Sequence, residues 1–166
     1  MAQALDCGDD VLAIEDARRS SFQSAMSCPV LLIEREAETR WLIRAVLALR
    51  GIHEVDEARD AAEALHKIAS KRYGLVLLDA TLPDGSGIDL LYSLAALARG
   101  LTGATPLLAD VIVLTALPAE ELASGRLVTI APGTVKAVVR KPIEVWKLSN
   151  VIAPYASAGC DDRVSA

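Results

Sequence analysis

The run Leu75-Val76-Leu77-Leu78-Asp79-Ala80-Thr81-Leu82-Pro83-Asp84-Gly85-Ser86-Gly87 decides the fold. Four consecutive aliphatic residues suit a strand buried on both faces, as in parallel sheets covered by helices. Asp79 then ends that strand, and Pro83, Gly85 and Gly87 mark a turn into the next element. Similar runs lie on either side: Val30-Leu31-Leu32-Ile33, Val111-Ile112-Val113-Leu114 and Ala137-Val138-Val139, with a shorter, more polar strand expected over Ile52–Val55. Helical segments fit between them, over residues 37–50, from 60 onward, 87–99, 118–125 and 143–153. Gly51 is placed to stop the first of these, and Asp60 with Glu63 resembles a capping box at the start of the second. The apolar stripes expected on these helices are Leu42, Val46 and Leu49, then Leu65 and Ile68. Strands alternating with helices indicate βαβ units, hence an α/β fold with five strands and five helices.

The chain has 166 residues, 52% of them hydrophobic but only 4% aromatic, enough for one aliphatic core. Its formal net charge is −5, and no cluster of Lys or Arg is dense enough to follow a phosphate backbone, so proteins are the expected partners and direct nucleic-acid binding is not. Cys7, Cys28 and Cys160 show no metal-ligand spacing and are read as reduced thiols, as in a cytoplasmic protein. No secretory signal and no membrane span is visible. The expected organisation is a flexible extension over 1–28, in which Val11-Leu12-Ala13-Ile14 could form one frayed helix, a domain over 29–155 and a flexible tail over 156–166. Two long connections, Gly100–Ala109 and Arg126–Lys136, are read as extra loop.

In an open parallel sheet the useful site lies at the carboxyl ends of the strands. Those ends carry Glu34, Asp79, Thr115 and Lys141, the last followed by Pro142. A carboxylate, a hydroxyl and an ammonium would converge there beside a further acid, a set able to hold a phosphoryl group on an aspartate.

With these residues in place, the chain resembles the response-regulator receiver family of two-component signalling. The quoted run looks like the family's signature around its phosphoacceptor. Thr115-Ala116 and Lys141-Pro142 match its switch hydroxyl and its lysine before a cis peptide, in order, over about residues 29–155. The resemblance implies a flavodoxin-like, doubly wound sheet of order 2-1-3-4-5. It implies that Asp79 accepts a phosphoryl group from a histidine kinase or phosphotransfer protein, that Lys141 pairs with acceptor or phosphate, and that Thr115 binds phosphate and moves on activation. It also implies a Mg²⁺ ion faced by the Thr81 carbonyl, and signalling to a downstream protein by a stand-alone, non-enzymatic domain.

Two departures mark an atypical member. Where the family places two adjacent acids that gather the cation, this chain has Glu34-Arg35. If all four charged side chains point inward, Arg35 and Lys141 balance Glu34 and Asp79 without a metal. Two like charges at about 4 Å repel by roughly 4 kcal/mol at an effective dielectric of 20, so Mg²⁺ at Glu34, Asp79 and Thr81 is disfavoured. Arg35 is instead assigned as a fixed cation beside Asp79, with a solvent-facing Arg35 as the competing reading. The second departure is Val138, where the family commonly has an aromatic whose rotamer follows the switch hydroxyl; valine is stiff and has no ring to swing.

Two further functions stay open: a phosphorylation-independent, metal-free interaction module on the same fold, and a small aspartyl phosphohydrolase. Against the hydrolase, such chemistry wants a second acid two residues after the nucleophile, and Thr81 stands there. His53 and His66 are read as surface histidines, Trp41 and Trp146 as anchors against the core or at a homodimer face, and Arg40, Arg44 and Arg50 as a solvated helix face.

Overall fold

The computed structural model describes residues 11–13, 29–98, 109–117 and 134–156. Its strands are β1 (Val11–Ala13), β2 (Val30–Ile33), β3 (Val55–Ala58), β4 (Leu75–Asp79), β5 (Thr81–Leu82), β6 (Gly85–Ser86), β7 (Asp110–Thr115) and β8 (Val135–Arg140). The described helices are α1 (Ala37–Leu49), α2 (Ala61–Ser70), α3 (Gly87–Ala98) and α4 (Val145–Ile152), with a short 3₁₀ turn at Ala153–Tyr155. The main sheet runs β1-β8-β7-β4-β2-β3, while β5 and β6 form a separate two-stranded hairpin. All pairings from β3 to β8 are parallel, in the order 2-1-3-4-5 when those five strands are counted along the chain. None of the described helices is long and apolar enough to cross a membrane.

Two cores follow from the two-residue period of the strands. Leu31, Ile33, Val76, Leu78, Val111, Val113 and Val138 meet α2 and α3 through Ala64, Leu90, Leu91 and Leu94. The alternate residues Val30, Leu32, Leu75, Leu77, Ile112, Leu114, Ala137 and Val139 meet α1 and α4 through Ile43, Val46, Leu47, Leu148 and Ile152. Strands covered on both faces can be continuously aliphatic, which explains their uninterrupted runs.

Several expectations change. The second parallel strand is Val55–Ala58, not Ile52–Val55. Gly51 takes φ 75°, the left-handed conformation glycine favours, and Ile52 then folds into the core while the chain climbs to the sheet edge. The strand's polarity hid it: Asp56 faces Lys71, just past the end of α2, and Glu57 faces Arg40 on α1. On α1 the buried stripe is Arg40, Ile43, Val46 and Leu47, leaving Leu49 exposed. On α2 the buried residue is Ala64, and Leu65 faces outward. Trp41 and Trp146 are 72% and 53% exposed, so neither anchors the core. His53 and His66 are at the surface.

The Asp60 carboxylate caps α2 at Glu63 N, 2.7 Å away, and Glu63 reaches back to Arg59 N. The patch at Val11 is a strand, not a helix, and pairs antiparallel with β8 as a sixth strand of the sheet. The expected helix at 118–125, most of the two long connections, the cysteines and the remainder of both terminal segments lie outside the described residues.

Candidate functional site

Parallel pairing brings the strand ends to one edge of the sheet. Asp79 stands opposite Leu114, one residue before Thr115, and Thr115 stands opposite Arg140, one residue before Lys141. Backbone bonds continue that row beyond the strands: Ala80 N donates to Leu114 O at 2.8 Å, Lys141 N to Thr115 O at 2.7 Å, and Glu34 N to Ala58 O at 3.0 Å. The Lys141–Pro142 peptide is cis.

Lys141 is the hub. Its Nζ lies 2.7 Å from Glu34 Oε2 and 2.9 Å from Asp79 Oδ2. The other carboxylate oxygens are held by the backbone: Glu36 N donates to Glu34 Oε1 at 3.0 Å and Thr81 N to Asp79 Oδ1 at 2.9 Å. Glu34 and Asp79 are both buried. Burial raises the Glu34 carboxyl above its usual value, and the Asp79 charge adds to that, while the Lys141 and Glu36 hydrogen bonds oppose it. Burial also works against the Lys141 charge, but the bonds to Glu34 and Asp79 outweigh it and hold the ammonium above its ordinary value. Thr115 is fully buried, with its Oγ1 accepting from Leu117 N at 3.0 Å. Thr81 joins the site through its N–H. Val138 is buried in the core on the strand that leads to Lys141.

Arg35 is elsewhere. Its side chain is half exposed and pairs with Glu36 at 3.9 Å, because β2 ends at Ile33 and the next residue inward is Glu34. The solvent-facing reading holds, and the neutral pocket becomes two acids around one ammonium.

Arg40 corrects a second reading, since it is buried rather than part of a solvated face. Nη1 donates to both Glu34 O and Arg35 O at 2.8 Å, and Nε to Glu57 Oε2 at 3.0 Å. The Arg44 hydrogen bond, with that of Arg40, holds the Glu57 carboxyl below its usual range. One guanidinium therefore fixes the loop that carries Glu34. The signal was present: Arg40 shares the helical period of Ile43 and Leu47.

Asp84 was read only as part of the turn. Its carboxylate accepts from Ala61 N and Ala62 N at 3.1 and 3.2 Å, tying the β5–β6 turn to the start of α2, where helix N–H groups lack partners. Those bonds, the Ala61 one foremost, lower its carboxyl. Gly87 is required by a close approach, since a Cβ there would lie 2.0 Å from Asp79 O.

A divalent cation with oxygen ligands needs about six of them. Here two carboxylates face the site, all four of their oxygens already accept hydrogen bonds, and the third acid position is Arg35. Among the described residues no three His, Cys, Asp or Glu side chains gather as a metal site.

The family model described as the response regulator receiver domain matches residues 30–153. The chain belongs to that family. Among curated proteins, the receiver resembles the Sensor protein EvgS of Escherichia coli (strain K12), 34% identical over 86 residues, which are 52% of this chain and 7% of that one. It also resembles the sensor histidine kinase AruS of Pseudomonas aeruginosa, 36% identical over 86 residues, 52% of this chain and 8% of that one. The match thus spans less than a tenth of either relative. Among solved structures, a CheY-like receiver domain protein from Methanospirillum hungatei JF-1 is 25% identical with a TM-score of 0.61, covering 75% of this chain and 90% of that one. The bacteriophytochrome response regulator RtBRR is 27% identical with a TM-score of 0.61, covering 77% of each.

Proposed function

We propose that this receiver domain accepts a phosphoryl group on Asp79 from a histidine kinase or phosphotransfer protein in the cytoplasm and signals through contacts with a downstream protein. The observation that carries the reading is Lys141 Nζ held 2.9 Å from Asp79 Oδ2 at the strand ends. An Asp79 carboxylate oxygen attacks phosphorus while the bond to the donor's imidazole nitrogen breaks, and that nitrogen keeps the electron pair. The Lys141 ammonium, already positioned, stabilises the charge on the phosphoryl oxygens. No step runs through a metal. The domain is a switch and not an enzyme, since Thr81 offers no second acid for turnover.

A second reading, a metal-free interaction module that works without phosphorylation, is favoured by Arg35 at the third acid position and by Val138 in place of a ring. Phosphoramidate treatment followed by intact-mass measurement separates the readings. A single phosphoryl adduct, absent from Asp79→Asn, supports the switch. No adduct with or without Mg²⁺ supports the module, and sustained phosphate release would point to a hydrolase.

A further inference from the structure

Glu34 is held at each of its polar atoms. Its N–H donates to Ala58 O on β3, and its carbonyl accepts from Arg40 Nη1 at 2.8 Å. Its carboxylate takes the Glu36 N–H on one oxygen and the Lys141 ammonium on the other. The start of α1 gives this loop little local support, since Glu36 at its N-terminus makes no side-chain cap bond. Arg40 supplies the support from one turn further on. Its planar fork spans the carbonyls of Glu34 and Arg35 while Nε anchors on Glu57, three bonds that a compact ammonium could not make together. The anchor itself is braced from both sides of the sheet: Arg44 bonds the other Glu57 carboxylate oxygen, and Lys67 on α2 donates to the Glu57 carbonyl.

We infer that Arg40 is a positioning residue: through the backbone of Glu34 it sets the Lys141 ammonium against Asp79. Lys141 carries its charge on a flexible four-carbon stem, so its stem alone does not fix where the ammonium stands. Two of its three N–H groups are committed, one to Glu34 Oε2 at 2.7 Å and one to Asp79 Oδ2 at 2.9 Å. With both anchors in place, the third N–H is aimed and available for an arriving phosphoryl oxygen. Release of the Glu34 backbone would withdraw one anchor, and the ammonium would swing about the other. The use of that third N–H in phosphoryl transfer rests on the function proposed above; the placement of Lys141 by Arg40 does not.

Trace acetylation of the full chain with acetic anhydride tests that placement without any phosphoryl chemistry. Peptide mass spectrometry reads the labelling of Lys141 against that of Lys136, at the opposite end of β8. The ratio should rise several-fold in Arg40→Met and less in Arg40→Lys, which keeps the charge without the fork and carries the test if Arg40→Met does not fold. Arg44→Met, which loosens Glu57 but leaves the loop carbonyls held, should match the parent. In a Glu34→Ala background the change at Arg40 should add nothing, because the path to Lys141 is already cut. An unchanged ratio in both Arg40 variants, a rise shared equally by Lys136, or a full further rise in the Glu34→Ala background would overturn the inference. With the parent phosphorylated, adduct formation from phosphoramidate should slow roughly tenfold in Arg40→Met, the order expected when a charge-stabilising group is slightly misplaced. An unchanged rate would count against the inference, whereas no adduct on the parent would contradict the proposed function and leave the acetylation ratio to decide the placement.

Discussion

The Lys141 ammonium lies 2.7 Å from Glu34 Oε2 although 107 residues separate them, and the same nitrogen bonds Asp79 Oδ2 at 2.9 Å. Two acids therefore share one cation in a buried space. At separations near 5 Å, two carboxylates repel by roughly 3 kcal/mol at an effective dielectric of 20. Removing the Asp79 or the Lys141 charge must move the titration of Glu34.

Glu34 is the reporter of that coupling. Its carboxyl titrates above the ordinary 4.5 because of burial, with Asp79 pushing it up and Lys141 holding it down. Carboxyl NMR should find its midpoint lower in Asp79→Asn and higher in Lys141→Met. Movement in the opposite sense for either variant would contradict the arrangement. For the Glu34 group alone, a folded midpoint raised above the unfolded one contributes stability that is complete below pH 4.5 and lost as pH rises through the folded midpoint.

Lys141→Met should cost about 3 kcal/mol at pH 7, since it leaves two buried carboxylates without their cation. The loss should shrink as pH falls and Glu34 takes up a proton. Urea unfolding at pH 7 and near pH 5 measures both. In the parent, the raised Lys141 value means its contribution is complete below about 10.5 and lost as pH climbs through the folded value.

Arg40 and Arg44 should part company despite sharing Glu57. Arg40→Met strands two backbone carbonyls and part of Glu57, and should cost about 3 kcal/mol. Arg44→Met removes an exposed pair and should cost less than about 1 kcal/mol. Denaturant midpoints with unchanged slopes would establish the difference.

Gly87→Ala should destabilise by about 2 kcal/mol, because the atoms in the way are the backbone of Asp79 and Ala80 and cannot swing aside. Gly85→Ala meets nothing within 4 Å, but its φ of 154° lies in glycine territory, so a smaller loss from backbone strain is expected. Thermal unfolding of the two variants gives the ranking.

The central parallel strands were legible because buried strands are aliphatic without interruption, their order came from the family resemblance alone, and four strand-end residues, Glu34, Asp79, Thr115 and Lys141, follow from where those runs stop. Val55–Ala58 was misplaced because an edge strand that pairs its acids with neighbouring helices has no apolar signature. Val11–Ala13 was illegible as a strand because three residues fit helix or strand equally until β8 supplies the partner. Arg35 and Arg40 were read the wrong way round, the first inward and the second outward. Adjacency to Glu34 suggested proximity for Arg35, whereas the backbone turns it to solvent; charge suggested solvent for Arg40, whereas the helical period carries it under the loop.

The most direct test is to map the phosphoryl group. After phosphoramidate treatment in EDTA, borohydride reduction converts an aspartyl phosphate to homoserine, which peptide mass spectrometry locates. Conversion at Asp79, lost when Lys141 is replaced by Met, is the predicted result; label at another residue, or at Asp79 only when Mg²⁺ is supplied, would contradict a metal-free site built on Asp79 and Lys141.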